Sequence, residues 1–449
     1  MALNIGTQIE IEIKRLGING EGIAYDNKKA IFVDYALPGE IAKVEILEDL
    51  NTYYKAKLIE IITPSKDRVT PFCSVYFECG GCQLQHLSYQ GQLNLKRELI
   101  LQALNRYTKG KIKFGLVKET IGMENPYNYR NKASLPVMFQ NEKTTIGMYK
   151  PNSNHLVDFT TCPVQDEELN KVYRLILNQM EKRKIEAINH GGVMRFIIVR
   201  RAHHTGEVQI TFIVKEKDEK VRALGKYLVD KFDYIKSAYE VVNSNLKNRE
   251  FFTNQIKLVG GEPNINETLG GINYKLAPNA FFQLNTPQAI KLYEKVVSIG
   301  EFKKTDVVVD AFGGVGPFAF YIAPQVKQVF SIELEKGSHE SLVDTIKTNN
   351  INNISALLGD VKTVINKEKI QADVMLFDPP RVGLGKAFTD FLLKYRPKKL
   401  IYVSCNPSTL AKDLDELLQA YEVKNITPID MFPHTSHVET ITLLSLKTA

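Results

Sequence analysis

Five short apolar runs in the last third of the chain constrain its fold more than any other feature. They occupy residues 307–310, 329–333, 374–378, 400–405 and 440–444, with helical patterns between most of them. Strand-length apolar runs alternating with helices predict an open, largely parallel sheet covered by helices on both faces. Such sheets bind ligands outside the carboxyl ends of their strands. The first four runs end on Asp310, Glu333, Asp378 and Cys405, so chemistry is expected at those positions.

This pattern starts near Gly271 and differs from what precedes it. The first 60 residues read as short strands: residues 9–13 alternate apolar and charged side chains, and further strands are expected at 31–33, 41–47 and 54–62, with a turn at Pro38-Gly39. Short strands without a helix pattern predict a small barrel of the oligonucleotide-binding kind. Residues 61–270 are mixed. A cysteine-rich loop leads into a helix-like stretch over 89–104, followed by strands over 133–139, 195–200 and 208–214 and by helical stretches over 167–183 and 219–231. The expected division is therefore 1–60, 61–270 and 271–449, a multidomain α+β and α/β chain. Three units also suit 449 residues at roughly 150 per domain.

Composition excludes several classes. With 44% hydrophobic and 24% charged residues, the chain is not a mainly disordered one. Five cysteines in 449 residues are too few for a disulfide scaffold. No apolar run approaches the ~20 residues that span a bilayer. The start, Met1-Ala2-Leu3-Asn4-Ile5-Gly6, predicts no signal peptide, so a cytoplasmic protein is expected. The 58 Lys+Arg against 51 Asp+Glu give a net +7. The excess is concentrated: residues 1–60 hold 7 basic and 10 acidic side chains, residues 101–150 hold 9 and 3. A basic stretch of that kind is the footprint expected of a nucleic-acid partner.

Three strand ends carry motifs. Asp310-Ala311-Phe312-Gly313-Gly314-Val315-Gly316 follows a strand directly, and its glycines permit a tight turn and close backbone approach to a ligand. Glu333 ends the next strand, where a carboxylate can accept hydrogen bonds from ribose hydroxyls. An acid before the glycines and Pro317 after them suit an adenosyl methionine site better than a dinucleotide, and Asp360 after the third run is a candidate adenine contact. Asp378-Pro379-Pro380-Arg381 lacks the aromatic fourth residue that would suggest methylation of a base amine. Ser404-Cys405-Asn406-Pro407 puts a candidate nucleophile at a strand end.

Together these motifs resemble the RNA uracil-5-methyltransferases, in particular the ribosomal-RNA branch with an N-terminal TRAM domain. The resemblance rests on Phe281-Phe282-Gln283-Leu284-Asn285, the glycine-rich turn, residues 378–384 and 404–407, and His437-Val438-Glu439, in that family's order and over essentially the whole chain. It implies a Rossmann-like class I methyltransferase sheet, a TRAM barrel over 1–60, and a central iron–sulfur and RNA-binding domain. It further implies Cys405 as the nucleophile that adds to carbon 6 of uracil and Glu439 as the base that removes the carbon 5 proton. Gln283, Phe312, Glu333 and Asp378 are implied cofactor contacts, with Asp360 a weaker one; for Asp378 a hydrogen bond to the uracil edge, instead of or beside the cofactor contact, is the alternative. Tyr129-Arg130-Asn131-Lys132 resembles the RNA-contacting segment, with Tyr129 stacking on a base and Arg130 and Lys132 holding phosphates.

Cys73, Cys79, Cys82 and Cys162 remain. Four thiolates suit structural zinc or an iron–sulfur cluster, and their spacing alone leaves both open. The resemblance shifts the expectation to a [4Fe–4S] cluster. The expected activity is methylation of carbon 5 of a uridine in 23S ribosomal RNA through a covalent Cys–uracil adduct, with S-adenosylmethionine as donor and the chain a monomer. The alternatives are transfer RNA as substrate, or a non-catalytic RNA-binding or ribosome-assembly protein.

Overall fold

The computed structural model describes residues 3–151, 153–159, 161–246 and 250–448. Its C-terminal sheet has seven strands in the order Ile354–Leu358, Gln328–Glu333, Val307–Ala311, Val374–Phe377, Lys399–Ser404, Glu439–Leu446, Tyr421–Ile429. The first five run parallel, and Glu439–Leu446 enters antiparallel against Lys399–Ser404. The strand order reverses between Val307–Ala311 and its neighbour Val374–Phe377, the switch point at which such sheets leave a crevice. The strand-end residues named from the sequence sit at that edge, because each apolar run is a strand and its polar residue lies within one residue of its end.

The central segment forms a second seven-stranded sheet, in the order Ile256–Gly261, Ile235–Val242, Val208–Val214, Met194–Arg201, Lys132–Gln140, Lys143–Tyr149, Leu156–Asp158. Its third strand, Val-Gln-Ile-Thr-Phe-Ile-Val, is buried along its whole length: it is flanked on both edges, and the Glu167–Arg183 and Glu219–Lys231 helices cover the face that carries Val208, Ile210, Phe212 and Val214. The Glu219–Lys231 helix is the crossover that lets Val208–Val214 and Ile235–Val242 pair in parallel.

The N-terminal strands pair in one six-stranded sheet whose edges are Gln8–Glu12 and Arg15–Leu16. These two strands follow one another in the chain, separated only by Ile13 and Lys14. Gln8–Glu12 pairs with Ile41–Asp49 and Arg15–Leu16 with Gly22–Asp26, so one bent segment bonds to both ends of the ladder and curls the sheet round.

Chain position and packing part company in one helix. Tyr89–Thr108 lies within the 61–270 segment, yet Ile100, Ala103 and Leu104 pack into the same core as Val309, Phe377, Leu410 and Tyr402 of the C-terminal sheet. Ser88 caps it, its hydroxyl accepting from Gly91 N–H at 3.2 Å. On its inner face Lys96 is wholly buried and forms an ion pair with the equally buried Asp430. Tyr89 donates to the other oxygen of Asp430 at 2.9 Å, and Lys96 also donates to the Phe432 carbonyl at 3.0 Å. Among the described residues no helix is long and apolar enough to cross a membrane.

Removing one member of a buried ion pair strands the other charge. Lys96→Ala is therefore expected to lower unfolding free energy by about 3–5 kcal/mol, read from the denaturant midpoint at neutral pH.

Candidate active site

One cleft of about 1060 Å³ gathers most of the motif residues. Gln283, Phe312, Glu333, Asp378, Cys405 and Glu439 all line it, and Arg130, Phe281, Arg381 and His437 complete its wall. These come from segments up to 309 positions apart (439 − 130) in the sequence.

The cofactor end is built from the glycine-rich turn. Phe312 adopts φ +63°, a conformation that non-glycine residues take only under constraint, and its ring packs on Phe388 with centroids 5.5 Å apart. Gly313 admits no side chain: a Cβ there would lie 2.1 Å from the Ser331 hydroxyl. The Glu333 carboxylate accepts from Gly314 N–H at 2.8 Å and from Glu335 N–H at 2.6 Å, which fixes it at the cleft edge. Asp310 is buried beneath the turn, where Ser331 donates to one carboxylate oxygen and the other has no partner. Burial pushes Asp310 up to about 7. A shaped turn, an anchored acid and an unsatisfied buried oxygen fit a nucleoside-bearing methyl donor.

The reacting end holds Cys405, Asp378 and Glu439. Cys405 directly precedes Asn406, which caps the Pro407–Leu417 helix by accepting from Ser408 N–H at 3.0 Å; Pro407 fits the first helical turn, where no N–H is needed. Asn406 also donates to the Arg381 carbonyl at 3.2 Å, tying the two motif loops together. Asp378 and Glu439 line the same end of the cleft. Desolvation raises both carboxyls, the charge of Asp378 raises Glu439 further, and Arg381 partly offsets this for Glu439. Burial, then the charges of Glu439 and Asp378, push the Cys405 thiol up to about 12, with Arg381 acting in the opposite sense.

The remaining expected residues divide. Arg130 lines the cleft, and its Nε donates to the Lys132 carbonyl at 3.1 Å. Tyr129 is corrected: it is 6% exposed and its hydroxyl donates to the Pro433 carbonyl at 3.0 Å, so its ring offers no open stacking face. Lys132 is half-buried, and burial together with Arg200 and Arg130 pushes its ammonium down to about 7, unlike an exposed phosphate hook. Asp360 is not among the cleft-lining residues; it caps the Val361–Lys367 helix, accepting from Thr363 N–H at 3.0 Å. Asn131 is a positioning residue to which the sequence assigned no role of its own. Its side chain donates to the Gln283 carbonyl at 3.1 Å and to Thr286 Oγ1 at 3.0 Å, and its N–H to the Leu284 carbonyl at 2.9 Å. It thus binds the Tyr129–Lys132 segment to the Phe281–Asn285 motif, and its position between two basic residues was the only sequence signal.

A second cavity, of about 480 Å³, adjoins the cleft and shares Gly81, Arg130, Met148, Phe281 and Leu284 with it. Cys73, Cys79, Cys82 and Cys162 all line it, and all are free thiols. Among the described residues, no group of three or more His, Cys, Asp or Glu is disposed to hold a metal ion.

An open α/β sheet with this turn at one strand end and a cysteine two strands away suits a methyltransferase with a nucleoside cofactor. The family model described as tRNA (uracil-5-)-methyltransferase matches residues 88–447, and the TRAM domain model matches residues 2–59. The chain is 36% identical over 452 aligned residues to a Bacillus anthracis protein named as an uncharacterized RNA methyltransferase, covering 99% of this chain and 98% of the relative. It is 37% identical to one from Clostridium tetani, covering 96% and 95%. Among solved structures it is similar to Pyrococcus abyssi tRNA (uracil-54, C5)-methyltransferase in complex with S-adenosyl-L-homocysteine, with a TM-score of 0.77 and 26% identity over 97% of this chain and 100% of that one. The chain belongs to the S-adenosylmethionine-dependent RNA uracil-5-methyltransferase family and carries an N-terminal TRAM domain.

The raised thiol makes a direct prediction. In substrate-free protein, iodoacetamide should modify Cys405 much more slowly at pH 7.5 than a free thiol, with the rate climbing steeply above pH 9. Glu439→Gln removes a like charge, lowers the thiol pKa and should accelerate modification above pH 8, read by peptide mass mapping. An unchanged rate in the variant would contradict the electrostatic coupling.

Proposed function

We propose that the protein methylates carbon 5 of a uridine in 23S ribosomal RNA through a covalent adduct with Cys405. The observation that carries this reading is the placing of one thiol and one buried carboxyl, Cys405 and Glu439, on the wall of a single cleft beside the cofactor turn. S-adenosylmethionine supplies the methyl group. The Cys405 thiolate adds to carbon 6, so that the ring becomes an enolate with a nucleophilic carbon 5. After methyl transfer, the Glu439 carboxylate takes the carbon 5 proton and the carbon–sulfur bond breaks, returning the thiolate. A carboxyl with a raised pKa suits that base role, because it holds the proton it removes. Gln283, Phe312 and Glu333 bind the donor, and Asp378, between donor and thiol, orients the base edge. The target uridine must leave its stack to reach this depth.

The TRAM domain supports a ribosomal substrate. One observation favours a second reading, transfer RNA: the solved relative of nearly equal length acts on a tRNA uracil. Mapping 5-methyluridine in total RNA from cells with and without the protein separates the two. Loss from 23S RNA is expected, and loss from transfer RNA alone would overturn the ribosomal assignment. Complementation with Cys405→Ala should not restore the mark although the variant still binds S-adenosylmethionine. Glu439→Gln should accumulate a protein–RNA adduct.

We also propose that Cys73, Cys79, Cys82 and Cys162 hold a [4Fe–4S] cluster. All four line one cavity, and the proximity of thiols from two separate segments supports a shared iron–sulfur group. Anaerobically purified protein should contain iron and sulfide and absorb broadly in the visible; stoichiometric zinc without iron would refute the cluster.

A further inference from the structure

Arg381 brings a positive charge to the reacting end of the cleft, where it favours ionisation of Cys405 and Glu439. Yet its side chain is exposed, and among the described residues it forms no ion pair. Its guanidinium donates to His437 Nδ1 at 3.5 Å, the weak end of the hydrogen-bond range. A long side chain so loosely tied keeps its place when its backbone is held, because each free rotor costs entropy to fix.

The hold comes from one face of the Pro407–Leu417 helix. Its cap, Asn406, and then Thr409 donate to the Arg381 carbonyl at 3.2 and 3.4 Å. One turn further on, Asp413 accepts from Leu384 N–H at 2.9 Å. Steps of three and four residues put these three side chains on one side of the helix. They grip the loop on either side of Gly383, whose φ is +80°. The approach is close: a Cβ at Gly383 would stand 2.6 Å from an Asp413 oxygen and 2.9 Å from the Thr409 Cβ.

Asp413 does more than close this turn. It is 7% exposed, and among the described residues no cation pairs with it, which makes its burial costly. The oxygen that accepts from Leu384 also accepts from the Tyr402 hydroxyl at 2.8 Å. Tyr402 is fully buried on the Lys399–Ser404 strand, which leads directly into Cys405. A single carboxylate oxygen thus joins the strand that presents the thiol to the loop that presents Asp378 and Arg381.

We propose that Asp413, with Thr409, is a positioning residue for the reaction: from outside the cleft it fixes the loop over residues 378–385, so that the Arg381 guanidinium stays at the reacting end. This deepens the uracil-methyltransferase reading and rests on it only for Cys405 being the nucleophile.

The test follows alkylation of Cys405 by iodoacetamide at pH 9 in substrate-free protein, by peptide mass mapping. Arg381→Gln removes the favourable charge and should slow alkylation about 5-fold. Asp413→Leu, close in size but without an acceptor, should slow it about 3-fold. The double variant should be no slower than Arg381→Gln alone, because both changes act through one charge. Thr409→Val removes a separate strap and should slow alkylation about 2-fold. Asp413→Asn keeps an acceptor oxygen and should react at the wild-type rate. All variants should still bind S-adenosylmethionine, which shows that they fold. An unchanged or faster rate in Asp413→Leu, as when water enters a merely slackened pocket, would overturn the proposal, and so would losses that multiply in the double variant. Should Asp413→Leu lose donor binding, Thr409→Val decides, and an unchanged rate there overturns the proposal equally. Formation of 5-methyluridine by the wild-type protein is read separately, so failure of the catalytic reading is distinguishable from failure of this one.

Discussion

The active site depends on the buried pair of Lys96 and Asp430. Asp430 opens the last loop before the strand that carries Glu439, and Lys96 belongs to a helix that precedes the whole catalytic sheet in the chain. Around this pair the loop is gripped from several sides. His434, itself at φ +67°, accepts from Gln83 and Leu84 N–H through its carbonyl and donates its own N–H to Gln92. Its ring meets the Pro126 carbonyl and packs against Phe72 and Tyr127. The cysteine loop, the basic loop and the first catalytic helix thus converge on the segment that sets Glu439. A charge pair removed from water is a weak source of net stability, but it tolerates no loosening, which is the property a catalytic loop needs.

The same dryness governs the chemistry. Asp310, Asp378, Glu439 and Cys405 are all shifted toward their neutral forms chiefly by desolvation. An empty cleft therefore does not hold a standing thiolate next to two carboxylates. Arg381 is the charge that favours ionisation of both Cys405 and Glu439, and Asn406 and Thr409 hold its backbone against the start of the helix beside the thiol.

Much of the site was legible because parallel-sheet topology converts sequence into place: a polar residue at the end of an apolar run lies at the ligand edge. That logic located Glu333, Asp378 and Cys405. It misjudged residues whose role depends on burial. Tyr129 reads as a stacking aromatic in a basic stretch, yet its hydroxyl is bonded inside the core. Asp360 reads like its neighbours at strand ends, yet it lies two residues past its strand and serves as a helix cap. Asn131 gave almost no signal, because its value lies in reaching a motif 152 positions away.

The sequence by itself determined the periodicity of the elements, the class of the C-terminal sheet and the identity of the reactive side chains, because these are set by local alternation and by residue type. Only the tertiary structure decided which of those side chains share a cleft, which are buried and so shifted in acidity, and that the Tyr89–Thr108 helix belongs to the catalytic core. Those properties arise from desolvation and from contacts between residues hundreds of positions apart, and no local pattern encodes them.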